Sequence, residues 1–474
     1  MATVNNIPAL TLAQQRFSLI NLSAEIRIVD NLEVADVLAG KKDEISLYKR
    51  TEGQLWMERY IETLPINSKP KEVIKKFLVD PNTHTYDAIA FSPLTTPNTT
   101  LNYWTGPTTK PKQGNWKVIR SFLYEVICDE DQALYDYFIQ FLAHMLKQPE
   151  EKPGISIVML SNSGCGKGTV FQLLNAIWSK TTLEVADINH VIGTFNAALE
   201  KNYVICMDES LFKGDKASME RLKSAITEPT IRVEQKYQPS RTINSYHRFF
   251  AASNSEHFAN IPIDDRRFVF IRVSDRKQQD LNYFNIIHKA INDSSVIGAM
   301  VYDLFTMDLT KFNVRRRPFT KEHLKQRLQS LDGFERFWFE VLETGKFRSK
   351  SEGLYGSLYD SEWDDSIFLP TQTIINCYTY YDKNATRYEP IQTQKVAAVL
   401  TRICPSAKSS RVKNTSGKQE RGYQLPNINA ARKEFELAIK SPINWQSDTT
   451  EIPTDLFNED YDVDHYCDLM RECQ

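Results

Sequence analysis

The chain has 474 residues, a formal net charge of −2, 41% hydrophobic residues and 25% charged residues. That length allows about three domains with cores of their own. The ordinary composition excludes a low-complexity or collagen-like chain, and the near-zero charge confines any nucleic-acid contact to local basic patches.

No apolar stretch approaches the roughly 18 residues of a membrane span, so no membrane partner is expected. The N-terminus, MATVNNIPAL, lacks the basic and apolar regions of a signal peptide. The seven cysteines are scattered, with no C-x-x-C and no paired histidine spacing. A reducing, cytoplasmic compartment is expected, and a zinc module is not.

Residues 1–110 read as a small mixed α/β domain. FSLINL and EIRIVD alternate like strands around Ser23-Ala24. Helical spacing follows at Val34–Ala39, Leu55–Thr63 and Lys71–Leu78. Pro93 to Pro111 is rich in Pro, Thr and Asn and reads as turns. Residues 111–150 form a helical collar whose second helix, Asp131 to Lys147, starts at the acidic cluster Asp129-Glu130-Asp131.

From 151 to 280 the pattern is α/β, with apolar strands at 155–160, 203–207, 248–252 and 268–273 alternating with helical stretches. The first strand runs into a Gly-rich turn and a helix, the layout of a phosphate-binding P-loop. Its cofactor-binding residues are Ser161, Asn162, Ser163, Gly164, Cys165, Gly166, Lys167, Gly168 and Thr169. Backbone N–H groups of such a loop cradle phosphates, and the lysine reaches the β/γ-phosphates of ATP. The motif departs from G-x-x-x-x-G-K-[ST] in two places: Ser161 stands for the first glycine, and Gly168 follows the lysine with Thr169 one place late.

YVICMDES adds a buried strand ending in Asp208-Glu209. Asp208 is placed to hold Mg²⁺, and Glu209 to orient and deprotonate the attacking water. RFFAASN ends a further strand at Asn254, whose amide can bond a γ-phosphate or that water. DDRRF carries Arg266 and Arg267; one of them either pairs locally with Asp264 or Asp265 or enters a neighbouring subunit's site as an arginine finger, Arg267 being slightly preferred. Between these elements TIRVEQKYQPSRTINSYHRF alternates like a hairpin, with Lys236 to contact phosphate and Tyr237 to stack on a base at its tip.

The order GCGKGT, MDE, EQKY, AASN, DDRRF resembles a superfamily 3 helicase of the AAA+ class, in particular the helicase half of phage and plasmid primase–helicases. LNYWTGP upstream resembles the segment leading into that helicase. The resemblance is strong over 90–275, weaker to 445 and faint at the N-terminus. It implies a homo-hexameric ring in a bacterial host cell, hydrolysing ATP with Mg²⁺ between subunits. Lys167 would bind phosphate, Thr169 would serve the loop and Mg²⁺, and Asp208 and Glu209 would form the acid pair. Asn254 would be the sensor and Arg266 or Arg267 the finger in trans, with Lys236 on a pore hairpin tracking single-stranded DNA, in most such proteins 3′→5′. No primase-like pair of strand-borne aspartates is present in residues 1–110, so a separate primase is an expected partner. Rival readings are a regulatory P-loop ATPase that remodels protein, and an origin-binding protein with weak ATPase.

Residues 281–365 read as a helical connector. It is interrupted by the basic run KFNVRRRPFTKEHLKQR at 311–327, which either faces DNA or joins domains with solvated arginines. Over 366–446, helices at Thr371–Tyr381 and Thr393–Ile403 precede a hairpin turning at Asn414–Gly417, a winged-helix-like plan. Lys395, Arg411, Lys413 and Lys418 lie in its basic stretch and are expected to contact double-stranded DNA. Residues 447–474 hold nine acids and one arginine and read as a disordered tail or a docking peptide. The expected fold class is thus α/β: an AAA+-type P-loop core flanked by an N-terminal mixed domain and a C-terminal winged-helix-like domain.

Overall fold

A computed structural model describes residues 8–445, except 23–24, 40, 43–44, 67, 194–195, 209–215, 235–239, 256–257, 259–264, 332, 351–357, 383–390 and 414–416. Glu209, Lys236, Tyr237 and the acidic tail at 447–474 therefore lie outside the described residues.

The chain opens with α1 (Ala9–Arg16), then the antiparallel strands β1 (Phe17–Leu22) and β2 (Glu25–Asp30). Three helices follow: α2 (Asn31–Leu38), α3 (Arg50–Glu62) and α4 (Pro70–Phe77). Strand alternation sends Phe17 and Leu19 into a small core with Met57, Ile61, Ile74 and Phe77, while Ile20 joins the main core. A Cβ at Gly53 would stand 2.6 Å from the Ile28 Cβ, so only glycine lets α3 lie this close to β2. Asp30, buried, pairs with Arg16 at 2.8 Å and caps α2 through the Leu32 N–H. Three short strands complete this part: β3 (Thr85–Tyr86), β4 (Ala88–Ala90) and β5 (Thr100–Asn102).

The collar is α5 (Lys117–Ser121), a π-helical turn over Phe122–Ile127, and α6 (Gln132–Lys147). Asp131 caps α6 through the Leu134 N–H, as its position predicts. Asp129 and Glu130 differ from the expected helix start: both have positive φ, 49° and 64°, and precede the cap.

The centre is a five-stranded parallel sheet. It is built from β6 (Ser156–Leu160), β7 (Thr182–Val185), β8 (Val204–Met207), β11 (Arg248–Ser253) and β12 (Phe268–Arg272) in the order β12-β6-β11-β8-β7. The hairpin strands β9 (Thr230–Val233) and β10 (Arg241–Asn244) stand apart as a pair. Central strands such as SIVML and VICM are buried at every position because helices cover both faces. Ile157, Met159, Cys206 and Phe250 face one core, with α6, α7 (Lys167–Ile177), α10 (Leu281–Asn292) and α11 (Ser294–Thr306). Val158, Leu160, Ile205 and Phe249 face the other, with α8 (Asn189–Ile192) and α9 (Lys216–Thr227).

The C-terminal part contains α12 (Lys321–Gln329), α13 (Gly333–Thr344), the hairpin β13 (Lys346–Lys350) and β14 (Leu358–Glu362), and β15 (Ile367–Pro370). It continues through α14 (Thr371–Asp382), α15 (Thr393–Ile403), β16 (Lys408–Lys413), β17 (Gln419–Leu425) and α16 (Ile428–Ile439). The three-stranded sheet runs β15-β17-β16, antiparallel throughout.

Packing divides the chain differently from composition. One continuous core runs from Ile20 to Val314 and crosses the expected boundaries at 110, 150 and 280. A second core runs from Phe319 to Ile443. The expected connector is thus split: α10 and α11 complete the first core, and α12 and α13 begin the second. Among the described residues, no helix is long and apolar enough to cross a membrane.

Candidate functional site

Three neighbouring strands, β6, β11 and β8, end at the same edge of the sheet. Their registers pair Ser253 with Leu160 and Ala251 with Met207. The residues that follow them, Ser161, Asn254 and Asp208, therefore converge beyond the carboxyl ends, where open parallel sheets bind ligands.

The Gly-rich turn links β6 to α7. Gly164 and Gly166 have φ of 81° and 104°, a region open mainly to glycine. A Cβ on Gly166 would come within 2.9 Å of the Phe284 ring. Lys167 is 7% exposed. Its Nζ donates to the Ser161 carbonyl at 2.8 Å, the Ser161 hydroxyl at 2.8 Å, the Asn162 carbonyl at 3.0 Å and the Asn254 Oδ1 at 2.8 Å. Where a glycine would offer only backbone, Ser161 adds a hydroxyl that accepts from the ammonium at 2.8 Å while donating to the Asn162 carbonyl at 2.9 Å.

A cavity of about 310 Å³ opens here, within the size range of small-molecule sites. Loop residues Ser163 to Thr169 other than Cys165 line it, together with Gln172, Asp208, Asn254, Phe284 and His288. Cys165 is buried in the main core and lines no part of it. A Cβ at Gly168 would meet nothing within 4 Å, so the cavity is open beside the first turn of α7. A helix N-terminus, a buried ammonium and open space beside backbone fit a polyphosphate. Asp208 and the Thr169 hydroxyl supply the hard oxygen donors that Mg²⁺ takes alongside phosphate oxygens.

Sequence reasoning missed several residues. Phe284 and His288 come from α10, and nothing in their local pattern marks them as site residues. Glu184 on β7 sits beside Asp208, and burial plus that neighbouring charge pushes its carboxyl above the usual range. The segment before α10 clamps the loop: Gln279 N donates to the Gly164 carbonyl at 3.0 Å and Gln278 Nε2 to the Ser163 carbonyl at 2.9 Å. Arg276, in the same segment, grips Asp129 at 2.7 Å and Glu130 at 2.8 Å.

Arg266 and Arg267 lie just before β12, at the opposite end of the sheet from the loop. The length of β6, about 13 Å at ~3.3 Å per residue, separates them from their own chain's cavity. Arg267 Nη1 pairs with the buried Asp265 at 3.3 Å, and its backbone N–H donates to the same carboxylate at 3.0 Å. Arg266 is exposed.

The basic run at 311–327 divides. Arg315 and Arg316 are exposed, but Arg317 Nη2 donates to the Asp265 carbonyl at 2.6 Å. Arg327 is 2% exposed and donates to that carbonyl at 3.3 Å and to the Ile439 carbonyl at 2.8 Å. These two arginines tie the second core to the first, so they are not available to face DNA. Lys395, Arg411, Lys413 and Lys418 are exposed along α15 and the β16–β17 hairpin, whereas Arg402 is paired with Glu335. A second hollow, about 390 Å³, lies between α13, β13 and α14. It is remote from the glycine loop, and the loop cavity is the better candidate because its polar groups converge.

The profile of a family of unknown function (DUF5906) matches residues 159–267, which include the loop, Asp208, Asn254 and both arginines. The chain is 24% identical over 242 residues to a DNA primase-polymerase of Nitratiruptor phage NrS-1, covering 48% of this chain and 33% of that protein. It therefore spans about a third of the length of this curated relative. Among solved structures it is similar to the apo C-terminal region of NrS-1, with a TM-score of 0.59, 16% identity, and coverage of 88% of this chain and 97% of that one. An A-form apo structure of the same region gives a TM-score of 0.60 at the same identity and coverage. The chain thus resembles a phage DNA primase-polymerase in sequence, and the C-terminal region of NrS-1 in fold over most of its length.

Proposed function

We propose that this chain is an ATP-dependent DNA helicase of phage DNA replication, with an AAA+-type P-loop core working as a homo-hexameric ring. The observation that carries the reading is the convergence of Lys167, Asn254 and Asp208 on one cavity at the N-terminus of α7. Similarity to a phage DNA primase-polymerase supports a place in replication; a separate primase belongs to the same proposal.

Lys167 would exchange its carbonyl partners for phosphate oxygens, and Asn254, now on the Lys167 ammonium, would turn to the γ-phosphate or the attacking water. Mg²⁺, when bound, neutralises phosphate charge. Asp208 and Thr169 would hold it. Glu209, the next residue after Asp208, would take the proton of the water as its oxygen bonds to the γ-phosphorus and the bond to the β-phosphate oxygen breaks. The proposed DNA-tracking residues Lys236 and Tyr237 fall in sequence between the paired strands β9 and β10. The segments flanking the β9–β10 pair are pinned by Lys152, whose Nζ donates to the Ala225 carbonyl at 2.7 Å, the Glu228 carbonyl at 2.6 Å and Ser245 Oγ at 2.5 Å.

DNA-stimulated ATP hydrolysis tests this reading. Lys167→Ala is expected to abolish nucleotide binding, and Glu209→Gln to retain binding while lowering turnover by about 10²-fold or more. Hydrolysis retained by both variants refutes the site, and hydrolysis indifferent to DNA refutes the helicase.

For the C-terminal part we propose a winged-helix-like duplex contact, supported by the β15-β17-β16 order and the exposed cations. Replacing Lys395, Arg411 and Lys413 by Ala in the full chain is expected to weaken duplex binding and flatten its salt dependence by about 2–3 in the log–log slope. An unchanged slope removes this face from the interface.

A further inference from the structure

The residue after the loop lysine is Gly168, which has no side chain to offer, and the space beside it is open. The next hydroxyl, Thr169, is buried to 6% exposure and lines the cavity. Its Oγ1 lies 3.2 Å from the Nε2 of His288, which lines the same cavity from α10. The position of α10 is fixed from several sides. Asp280 caps it through the Tyr283 N–H at 3.0 Å, and Gln279 immediately before that cap bonds the Gly164 carbonyl at 3.0 Å. One turn before His288, Phe284 lies against Gly166 and packs edge-on to Phe122. His288 is therefore held in place independently of Thr169.

A threonine hydroxyl has one proton and two lone pairs, and its rotor is free unless something takes the proton. We propose that His288 is a positioning residue for the divalent-metal site: its Nε2 accepts the Thr169 proton, which fixes the rotor and leaves both oxygen lone pairs for the cation. The shift of the hydroxyl from position 168 to 169 is thereby compensated by an imidazole from a distant helix. This inference rests on the nucleotide reading of the cavity. Outer partners that orient a metal ligand typically contribute about 10–100-fold in metal affinity.

The test is equilibrium binding of a fluorescent ATP analogue to the full chain, with EDTA and across a Mg²⁺ titration. His288→Ala is expected to leave affinity in EDTA within about twofold and to raise the half-saturating Mg²⁺ concentration by about tenfold or more. Thr169→Val should raise the Mg²⁺ midpoint likewise. The double variant should be no worse than Thr169→Val alone, because both substitutions remove one interaction. His288→Gln, whose amide oxygen can accept the same proton, should restore part of the Mg²⁺ dependence and covers the case in which alanine disturbs α10. An unchanged Mg²⁺ midpoint in His288→Ala, or additive effects of the two substitutions, overturns the assignment of His288 alone. Wild-type protein that takes up no nucleotide under either condition refutes the site itself.

Discussion

Replacing Arg266 by alanine is expected to lower ATP turnover by about 10³-fold while leaving nucleotide binding unchanged. Arg267→Ala should instead lower stability and leave turnover per folded molecule intact. The two neighbours part company because of Asp265. Its side chain is fully buried, and Arg267 meets it twice, through the backbone N–H and through Nη1. The Arg267 side chain is one-third exposed, so the ion pair is partly screened and its loss costs about 1–3 kcal/mol. Arg266 is exposed at the end of the sheet that cannot reach its own cavity. On the proposed ring reading, a cation there would act on another copy's site. On that reading Arg266 is therefore the better placed of the two for the finger, and Arg267 the better placed for structure.

Mixing experiments check the trans assignment. Lys167→Ala chains and Arg266→Ala chains should each be inactive alone, and a mixture should recover turnover at interfaces that pair an intact cavity with an intact arginine. No recovery, or full activity in Arg266→Ala alone, refutes the assignment. The same measurement on Arg267→Ala, scaled to the folded fraction from its urea transition, separates stability from chemistry.

This ambiguity shows which parts of the site were legible in the sequence. The strand runs SIVML, VICM and RFFAAS announce themselves because strands buried on both faces must be continuously apolar. Thr371–Asp382 and Thr393–Ile403 are legible by helical period. Other elements carry no such signature. The edge strand β7, TLEV, is four residues long and only half-buried, yet it brings Glu184 beside Asp208. The π-helical turn at Phe122–Ile127 has the same apolar content as an α-helix. His288 lies 119 residues from Thr169, and its role follows only from the packing of α10 over the loop. Arg315 and Arg317 are two residues apart in one basic run, yet one is exposed and the other bonds a carbonyl across the joint between cores. Local pattern reports which residues can be buried; it does not report which partners bury them.

The second large effect is on stability, and it is expected on the acid side. His247, at the root of the β9–β10 hairpin, is buried, and burial pushes its imidazole down to about 4, with Lys152 and Arg248 adding repulsion. Its neutral form is fully bonded: Ser245 Oγ donates to Nδ1 at 2.8 Å and Nε2–H donates to the Leu199 carbonyl at 2.9 Å. The unfolded chain, with histidine near 6.5, binds a proton below that pH while the folded chain does not until about 4. The stability that neutral His247 contributes is then fully present above pH 6.5 and falls as pH drops toward 4. At pH 5 the loss from this one side chain is about 2 kcal/mol. His144 and His323 are shifted in the same direction by burial and by neighbouring arginines, so they deepen the loss. Lys152, lowered to about 7 by burial and by Arg248, has the same sign at higher pH, because its unfolded form holds the proton up to 10.5. Urea midpoints at pH 5 and 7.5 check this. The wild-type chain should lose at least about 2 kcal/mol between them, and His247→Gln should lose about 2 kcal/mol less whatever its starting stability. Equal losses in both proteins would mean that His247 takes up its proton in the folded state.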